Sequence, residues 1–266
     1  MTVTSMFTAV SLVALLAIAN AQTPAVESDG PASSLVLSPA IIMVRCRPGQ
    51  STTQTLTIIN HTPATASFQL ATEDVVVREG RRLFVPAGQT PNGIALSAVA
   101  TPASVTVKPG ESTSVTVTLT LPLETAQRAV VTFFRGRVSM SADGAVGLSA
   151  SMGTLITFTA SADYNVESGP VTASLQTPAA NVIFSEELRN RGAEPVVPKG
   201  VLVVLNASGR RVAKTSFKHQ RLLPGERLIF AATNPAQLVP GRYRTLSSFE
   251  FERKILTRVG EFTIPE

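Results

Sequence analysis

The sequence predicts an all-β protein, two sandwiches in tandem after an export signal. Three features point there. Four Pro-Gly dipeptides, Pro48-Gly49, Pro109-Gly110, Pro224-Gly225 and Pro240-Gly241, each open a stretch rich in alternating or β-branched residues. Pro presets φ and Gly accepts a positive φ, so each is a chain reversal feeding a strand. The first two begin nearly the same phrase: Gly49-Gln50-Ser51-Thr52 leads into Leu56-Thr57-Ile58-Ile59, and Gly110-Glu111-Ser112-Thr113 into Val115-Thr116-Val117-Thr118-Leu119. Finally, the apolar residues are mostly Val, Leu, Ile and Ala, with no Trp and only 2 Tyr, a composition that suits pleated surfaces better than helices.

The chain opens with an apolar run from Met6 to Ile18 that ends at Ala19-Asn20-Ala21. This reads as a secretory signal peptide over residues 1–21, although no Lys or Arg precedes the run. Residues 22–34 are small and polar and read as a flexible leader. No later segment approaches the roughly 20 apolar residues of a membrane-spanning helix, so no integral membrane segment is expected once the signal is removed. The expected location is the periplasm, the medium or the cell surface.

A first domain is expected over residues 35–163. Its strands are placed at Leu35 to Cys46 with a break at Pro39, Thr53 to Asn60, Ala66 to Glu73, Asp74 to Arg78 and Arg82 to Val85, with Glu79-Gly80 as a hairpin tip. Pro86 to Ala95, with two Pro and two Gly, reads as loop. Strands follow at Ser104 to Lys108, Ser114 to Leu121, Ala129 to Met140 and Val146 to Ala160, and only Leu123 to Arg128 reads as helical, for one turn. Ser161 to Pro170 breaks the pattern, and a second domain is expected over residues 164–266. Its strands are Val171 to Gln176, Asn181 to Asn190, Gly200 to Leu205, Arg211 to His219, Glu226 to Ala231, Arg242 to Phe251 and Val259 to Ile264. Tyr243, just after a Pro-Gly turn, sits where a tyrosine corner would, or is an ordinary half-buried Tyr.

Composition removes most chemistry. Cys46 is the sole cysteine, so no intrachain disulfide forms, and a small buried apolar residue is the expected role. His61 and His219 are the only histidines, no G-x-S-x-G elbow occurs, and one Cys with two distant His makes no ordinary zinc site. The adjacent carboxylates Glu73-Asp74 and Glu186-Glu187 point to opposite faces of a strand. No enzyme activity, cofactor or metal is expected. A hydrolase or sugar-binding sandwich would need a polar cleft at a histidine or an aromatic platform, and aromatic residues are scarce.

The charge is uneven: Gln22 to Asp163 carries 9 Lys and Arg against 9 Asp and Glu, and Tyr164 to Glu266 carries 14 against 9. The second half is therefore basic, but without a dense run or interleaved aromatics, and nucleic acid is not an expected partner. What remains is binding through sheet edges and strand faces. Along Val146 to Phe158, residues Leu148, Ala150, Met152, Ile156 and Phe158 line one side, interrupted by Thr154. At an edge this strand would pair with a partner strand; inside a sheet the same residues would be core.

The phrasing around Pro48-Gly49, the strand closing in Leu56-Thr57-Ile58-Ile59-Asn60, the segment Val105-Thr106-Val107-Lys108-Pro109-Gly110-Glu111-Ser112 and the strand Val130-Val131-Thr132-Phe133-Phe134-Arg135-Gly136-Arg137 resemble the periplasmic pilus-assembly chaperones, the PapD-like family. The likeness covers about residues 35 to 160 by pattern, and the rest by size and style. It implies two immunoglobulin-like β-sandwich domains. It also implies capture of an exported, pilin-like subunit by strand addition, with an Arg on the first strand and a Lys on the last strand of domain one holding the subunit's C-terminal carboxylate. Arg45 and Arg47 lie near the Arg position, whereas no basic residue occurs from Val146 to Tyr164, where the Lys belongs. The expected binding residues are thus Arg45, Arg47, Leu148, Ala150, Met152, Ile156 and Phe158. The alternative is a structural or adhesive surface module, favoured by the missing Lys and by a strand covered on both sides.

Overall fold

In a computed structural model that describes residues 34–139, 147–175, 181–234 and 238–265, alternating β-branched segments form seventeen strands. The first ten are β1 (Leu35–Ser38), β2 (Ile41–Arg45), β3 (Ser51–Asn60), β4 (Ala66–Arg78), β5 (Arg81–Pro86), β6 (Val99–Thr101), β7 (Ser104–Val107), β8 (Ser112–Thr120), β9 (Ala129–Ser139) and β10 (Gly147–Thr159). One sheet has the order β1-β3-β8-β6 and the other β2-β10-β9-β4-β5, with β7 also paired to β4. The first strand therefore divides at Pro39, and its halves join opposite sheets. This is an immunoglobulin-like sandwich.

A second sandwich follows: β11 (Val166–Leu175), β12 (Val182–Asn190), β13 (Lys199–Asn206), β14 (Arg211–Ser216), β15 (Arg227–Asn234), β16 (Gly241–Phe251) and β17 (Lys254–Ile264). Its sheets are β11-β12-β15 and β14-β13-β16-β17. Each sandwich closes over its own core, one around Phe68, Phe134 and Phe158, the other around Phe184, Phe217, Phe230 and Phe249. Burying a side chain of this size stabilises by roughly 1.5–3 kcal/mol.

The Pro-Gly turns behave as their chemistry requires. Gly49, Gly110 and Gly225 have φ of 82, 75 and 76°. The matching turn bonds, Gln50 N to Arg47 O, Glu111 N to Lys108 O and Glu226 N to Leu223 O, measure 3.1, 3.1 and 3.0 Å. Gly241 instead opens β16 with φ 150°. Two of these turns are held by the same device: a fully buried Asn ends β3 and β12, and the Asn60 and Asn190 carbonyls accept from Gly110 N and Gly225 N at 2.7 and 2.9 Å. Their side-chain amides donate onward, Asn60 to Ala64 O and Val107 O, Asn190 to Glu194 O and Leu222 O. Buried polar side chains are tolerated here because each is bonded.

Several expectations change. Leu123 to Arg128 is not helical: Gln127 N donates to Thr125 Oγ1 at 3.0 Å and Arg128 Nη1 donates to the Thr125 and Gln127 carbonyls, so side chains hold an irregular turn. β4 is one continuous strand through Glu73-Asp74. β11 begins at Val166 and carries Gly169-Pro170 as a register shift, so that pair bends a strand instead of preceding one. The signal-peptide and leader assignments lie outside the described residues, apart from Ser34. Tyr243 does form the corner: its hydroxyl donates to Val239 O at 2.7 Å.

Polar and apolar contacts join the sandwiches. Leu223 packs against Val75, Ala129 and Val131. Glu226, buried, accepts both prongs of Arg82 at 2.6 and 2.9 Å. Glu194, also buried, accepts from Ala160 N, Ser161 N, Ser161 Oγ and Arg128 Nε where the chain passes from one sandwich to the other.

Candidate strand-addition edge and cationic clefts

β10 is paired along its full length with β9, but on its other side only in part. β2 runs parallel to it from Leu155↔Ile41 to Thr159↔Arg45. From Gly147 to Thr154 no strand among the described residues covers that side. The direction of each backbone group follows from two bonds. Phe158 N donates to Arg128 O at 2.8 Å, on the β9 side, and Leu155 N donates to Ala40 O at 3.0 Å, on the β2 side. In a strand the N–H and C=O of one residue share a side and alternate along the chain. Ser149, Ser151 and Gly153 therefore turn both backbone groups to the open edge, and all three are exposed. An edge of this kind is a template for another strand.

The side chains expected to bind divide into groups. Ile156 and Phe158 are fully buried in the first core, and Ala150 and Met152 are half-buried against it. Their shared face is thus the core face, and Ile156 and Phe158 have no surface to offer. Leu148 is placed on β10 opposite Val138, and its side chain lies outside the described residues. Thr154, which interrupts the apolar series, is buried and donates its hydroxyl to Pro39 O at 2.8 Å, where β1 gives way to β2.

Arg45 and Arg47 are exposed and line a cleft of about 690 Å³ between the sandwiches, with Cys46, Thr159, Tyr164, Glu252, Arg253 and Lys254. Arg45 meets Glu252 at 3.8 Å, and Lys254 Nζ donates to Tyr164 O at 2.5 Å. Cys46 is buried at the cleft wall with its thiol directed at the Gln50 and Arg47 carbonyls, and burial pushes it up in pKa. The open edge and these arginines do not adjoin: Leu155 to Thr159, which β2 covers, separates them.

A second cleft, about 520 Å³, lies at the point where β2 begins to cover β10. It is lined by Ile41, Leu155, Arg81, Arg82, His219 and Arg221, among others. Sequence reasoning missed Arg221, which no local pattern marks. Its only signal was the excess of positive charge in the second half. Among the described residues no group of three or more His, Cys, Asp or Glu side chains is placed to hold a metal, and no helix is long and apolar enough to cross a membrane.

The carboxylate pairs do face opposite ways. Glu73 meets Arg135 at 2.7 Å on the outer face, while Asp74 turns inward to accept from Ala95 N at 3.0 Å. Glu186 is buried in the second core and Glu187 is exposed.

Comparison with solved structures returns several fimbrial chaperones. The class 5 fimbriae chaperone CfaA is 14% identical over 88% of this chain and 100% of its own, with a TM-score of 0.43. The CsuC-CsuE chaperone-tip adhesion subunit pre-assembly complex of Acinetobacter baumannii matches at 11%, covering 86% and 97%, with a TM-score of 0.42. The Escherichia coli chaperone DraB matches at 14%, covering 87% and 95%, with a TM-score of 0.38. No curated protein sequence matches. The Fn3-like domain family matches residues 20–153. With half its length and most of its first sandwich covered by that match, the chain belongs to the Fn3-like domain family.

Proposed function

We propose that this protein is an exported, non-enzymatic binding protein that takes a strand of a partner onto the open edge of β10, in the manner of a fimbrial assembly chaperone. The observation that supports this reading is the row of backbone groups at Ser149, Ser151 and Gly153 that no strand among the described residues pairs. Affinity would come from main-chain hydrogen bonds and selectivity from alternate side chains. On the core side, an added strand would cover the half-buried Ala150 and Met152. The Arg221 cleft meets the end of the open edge, and the cleft at Arg45 and Arg47 lies beyond the stretch that β2 covers; either charge would favour an acidic group on the partner. The alternative of a structural or adhesive module fits a β10 covered on both sides, and the uncovered stretch from Gly147 to Thr154 favours strand addition instead.

The test is Ser151→Pro. Pro removes an outward N–H and leaves the β9 ladder intact, which edge strands tolerate. The tagged variant should melt and give a circular dichroism spectrum as wild type does, yet lose the protein that co-purifies with wild type from its own host. Equal retention by both would refute strand addition at this edge.

A further inference from the structure

We propose that Arg189 and Arg227 of the second sandwich form a binding site for a phosphate group, free or on a lipid headgroup, at the seam with the first sandwich. The two residues stand directly opposite each other on β12 and β15. Asn190 N donates to Glu226 O at 3.0 Å, so Asn190 turns its amide to β15, and Arg189↔Arg227 beside it is a non-hydrogen-bonded pair. Side chains approach most closely at such pairs, with Cβ atoms about 4.5–5.5 Å apart, and like charges placed there repel. Leu188 and Leu228 pack into the core, so both arginines lie on the outer face.

No carboxylate among the described residues lies within 4.0 Å of either guanidinium to offset this repulsion. Glu167, the β11 residue opposite Arg189, pairs with Arg191 at 2.7 Å instead. The Arg189 Nε is buried, but its Nη1 and Nη2 reach the surface and bond no described residue. Arg227 donates Nη2 to Glu79 O at 3.3 Å and its backbone N to Gly80 O at 2.9 Å, which leaves its Nη1 open. Both arginines line a cleft of about 360 Å³ with Val77, Glu79, Gly80 and Gly225, bordered by the β4–β5 hairpin tip. A Cβ at Gly80 would stand 2.6 Å from Arg227 Nε, so only glycine lets the tip come this close. Arg78 and Arg81, exposed and likewise without a carboxylate among the described residues, flank the tip and add to the positive potential. A phosphate dianion fits in charge and in shape. Its several acceptor oxygens take Nη–H groups from both sides at once and give two repelling cations a common counter-ion.

Titration calorimetry on the full chain at constant ionic strength tests this, with inorganic phosphate, glycerol phosphate and acetate as probes and the melting temperature recorded for every variant. Wild type should bind both phosphates with Kd below about 1 mM and acetate about tenfold more weakly or not at all. Arg189→Gln should weaken phosphate binding about tenfold or more. It should also leave the phosphate-free Tm unchanged or raised, because the like-charge repulsion goes with it, whereas removing a merely structural arginine lowers Tm. Arg227→Gln should lose affinity to the same extent. Arg45→Gln with Arg47→Gln, at the other cleft, should bind as wild type, which separates this site from general attraction to a basic protein. Co-sedimentation with phosphatidylcholine vesicles containing phosphatidic acid, and not with phosphatidylcholine alone, assigns a lipid headgroup. Calorimetric binding without co-sedimentation assigns free phosphate. The proposal is overturned if wild type binds phosphate no more tightly than acetate, if Arg189→Gln binds as wild type or melts lower without phosphate, or if the Arg45/Arg47 variant loses binding as well.

Discussion

Glu194 is the side chain on which the passage between the two sandwiches depends most. It is fully buried and accepts from Ala160 N at 3.0 Å, Ser161 N at 2.9 Å, Ser161 Oγ at 2.7 Å and Arg128 Nε at 3.3 Å. Glu194→Leu keeps the volume and removes every acceptor. Two backbone amides then lose their partner in a protected site, at about 1–3 kcal/mol each. Arg128 loses less, since the Thr125 and Gln127 carbonyls still accept from its Nη1. Against these losses stands the relief of a buried carboxylate, so the net cost is about 3 kcal/mol. For a unit of this size that is a fall of roughly 6–12 °C in Tm. Urea denaturation reads the loss, and limited proteolysis reads its location, with cleavage expected near Ser161 to Tyr164. In a double-mutant cycle, Arg128→Met should cost about 1 kcal/mol less in Glu194→Leu than in wild type. A loss below about 1 kcal/mol, with unchanged proteolysis and additive mutations, would refute the assignment of Glu194 as the link.

Two further outcomes test the second sandwich. Glu186 is buried with neither carboxylate oxygen bonded within 3.5 Å among the described residues, and burial pushes its pKa up, opposed in part by the nearby Ser247 and Ser168 hydroxyls and by Arg258. A raised folded-state pKa contributes stability below the unfolded carboxyl value of about 4.3 and loses it as pH rises through the raised value. Glu186→Gln should therefore raise Tm at neutral pH and change it little at the acid end, and a Tm difference independent of pH would contradict this. Tyr243→Phe removes only the corner bond to Val239 O and should cost about 1 kcal/mol in urea denaturation; an unchanged midpoint would show that stacking on Phe262, 5.3 Å between centroids, holds the ring alone.

Much of the architecture was legible because strand periodicity and turn chemistry are local. Pro48-Gly49, Pro109-Gly110 and Pro224-Gly225 are turns because of two residues each. The alternation of β3, exposed at Ser51, Thr53 and Thr55 and buried at Leu56, Ile58 and Asn60, follows directly from its sequence. What a strand packs beside is not local. The series Ala150, Met152, Ile156 and Phe158 shows one apolar face; the sheet of β3 and β8 packed opposite makes that face core, and the short reach of β2 leaves the edge half open. The helical turn at Leu123 to Arg128 failed because apolar spacing over so few residues cannot outweigh Thr125 and Arg128 bonding the backbone directly. Glu186 was visible as a charge, yet its inward position depended on the register of Val182, Phe184 and Leu188. Arg221 showed only in the charge excess of the second half, since its partner Thr157 lies in the other sandwich.

Strand addition at β10 is tested most directly by amide hydrogen exchange on this protein alone and with its co-purified partner bound. The amides of Ala150, Met152 and Thr154 point to β9 and should be protected in both states. Those of Ser149, Ser151 and Gly153 should exchange freely alone and become protected in the complex. Protection gained elsewhere, with these three amides unchanged, would contradict strand addition at this edge.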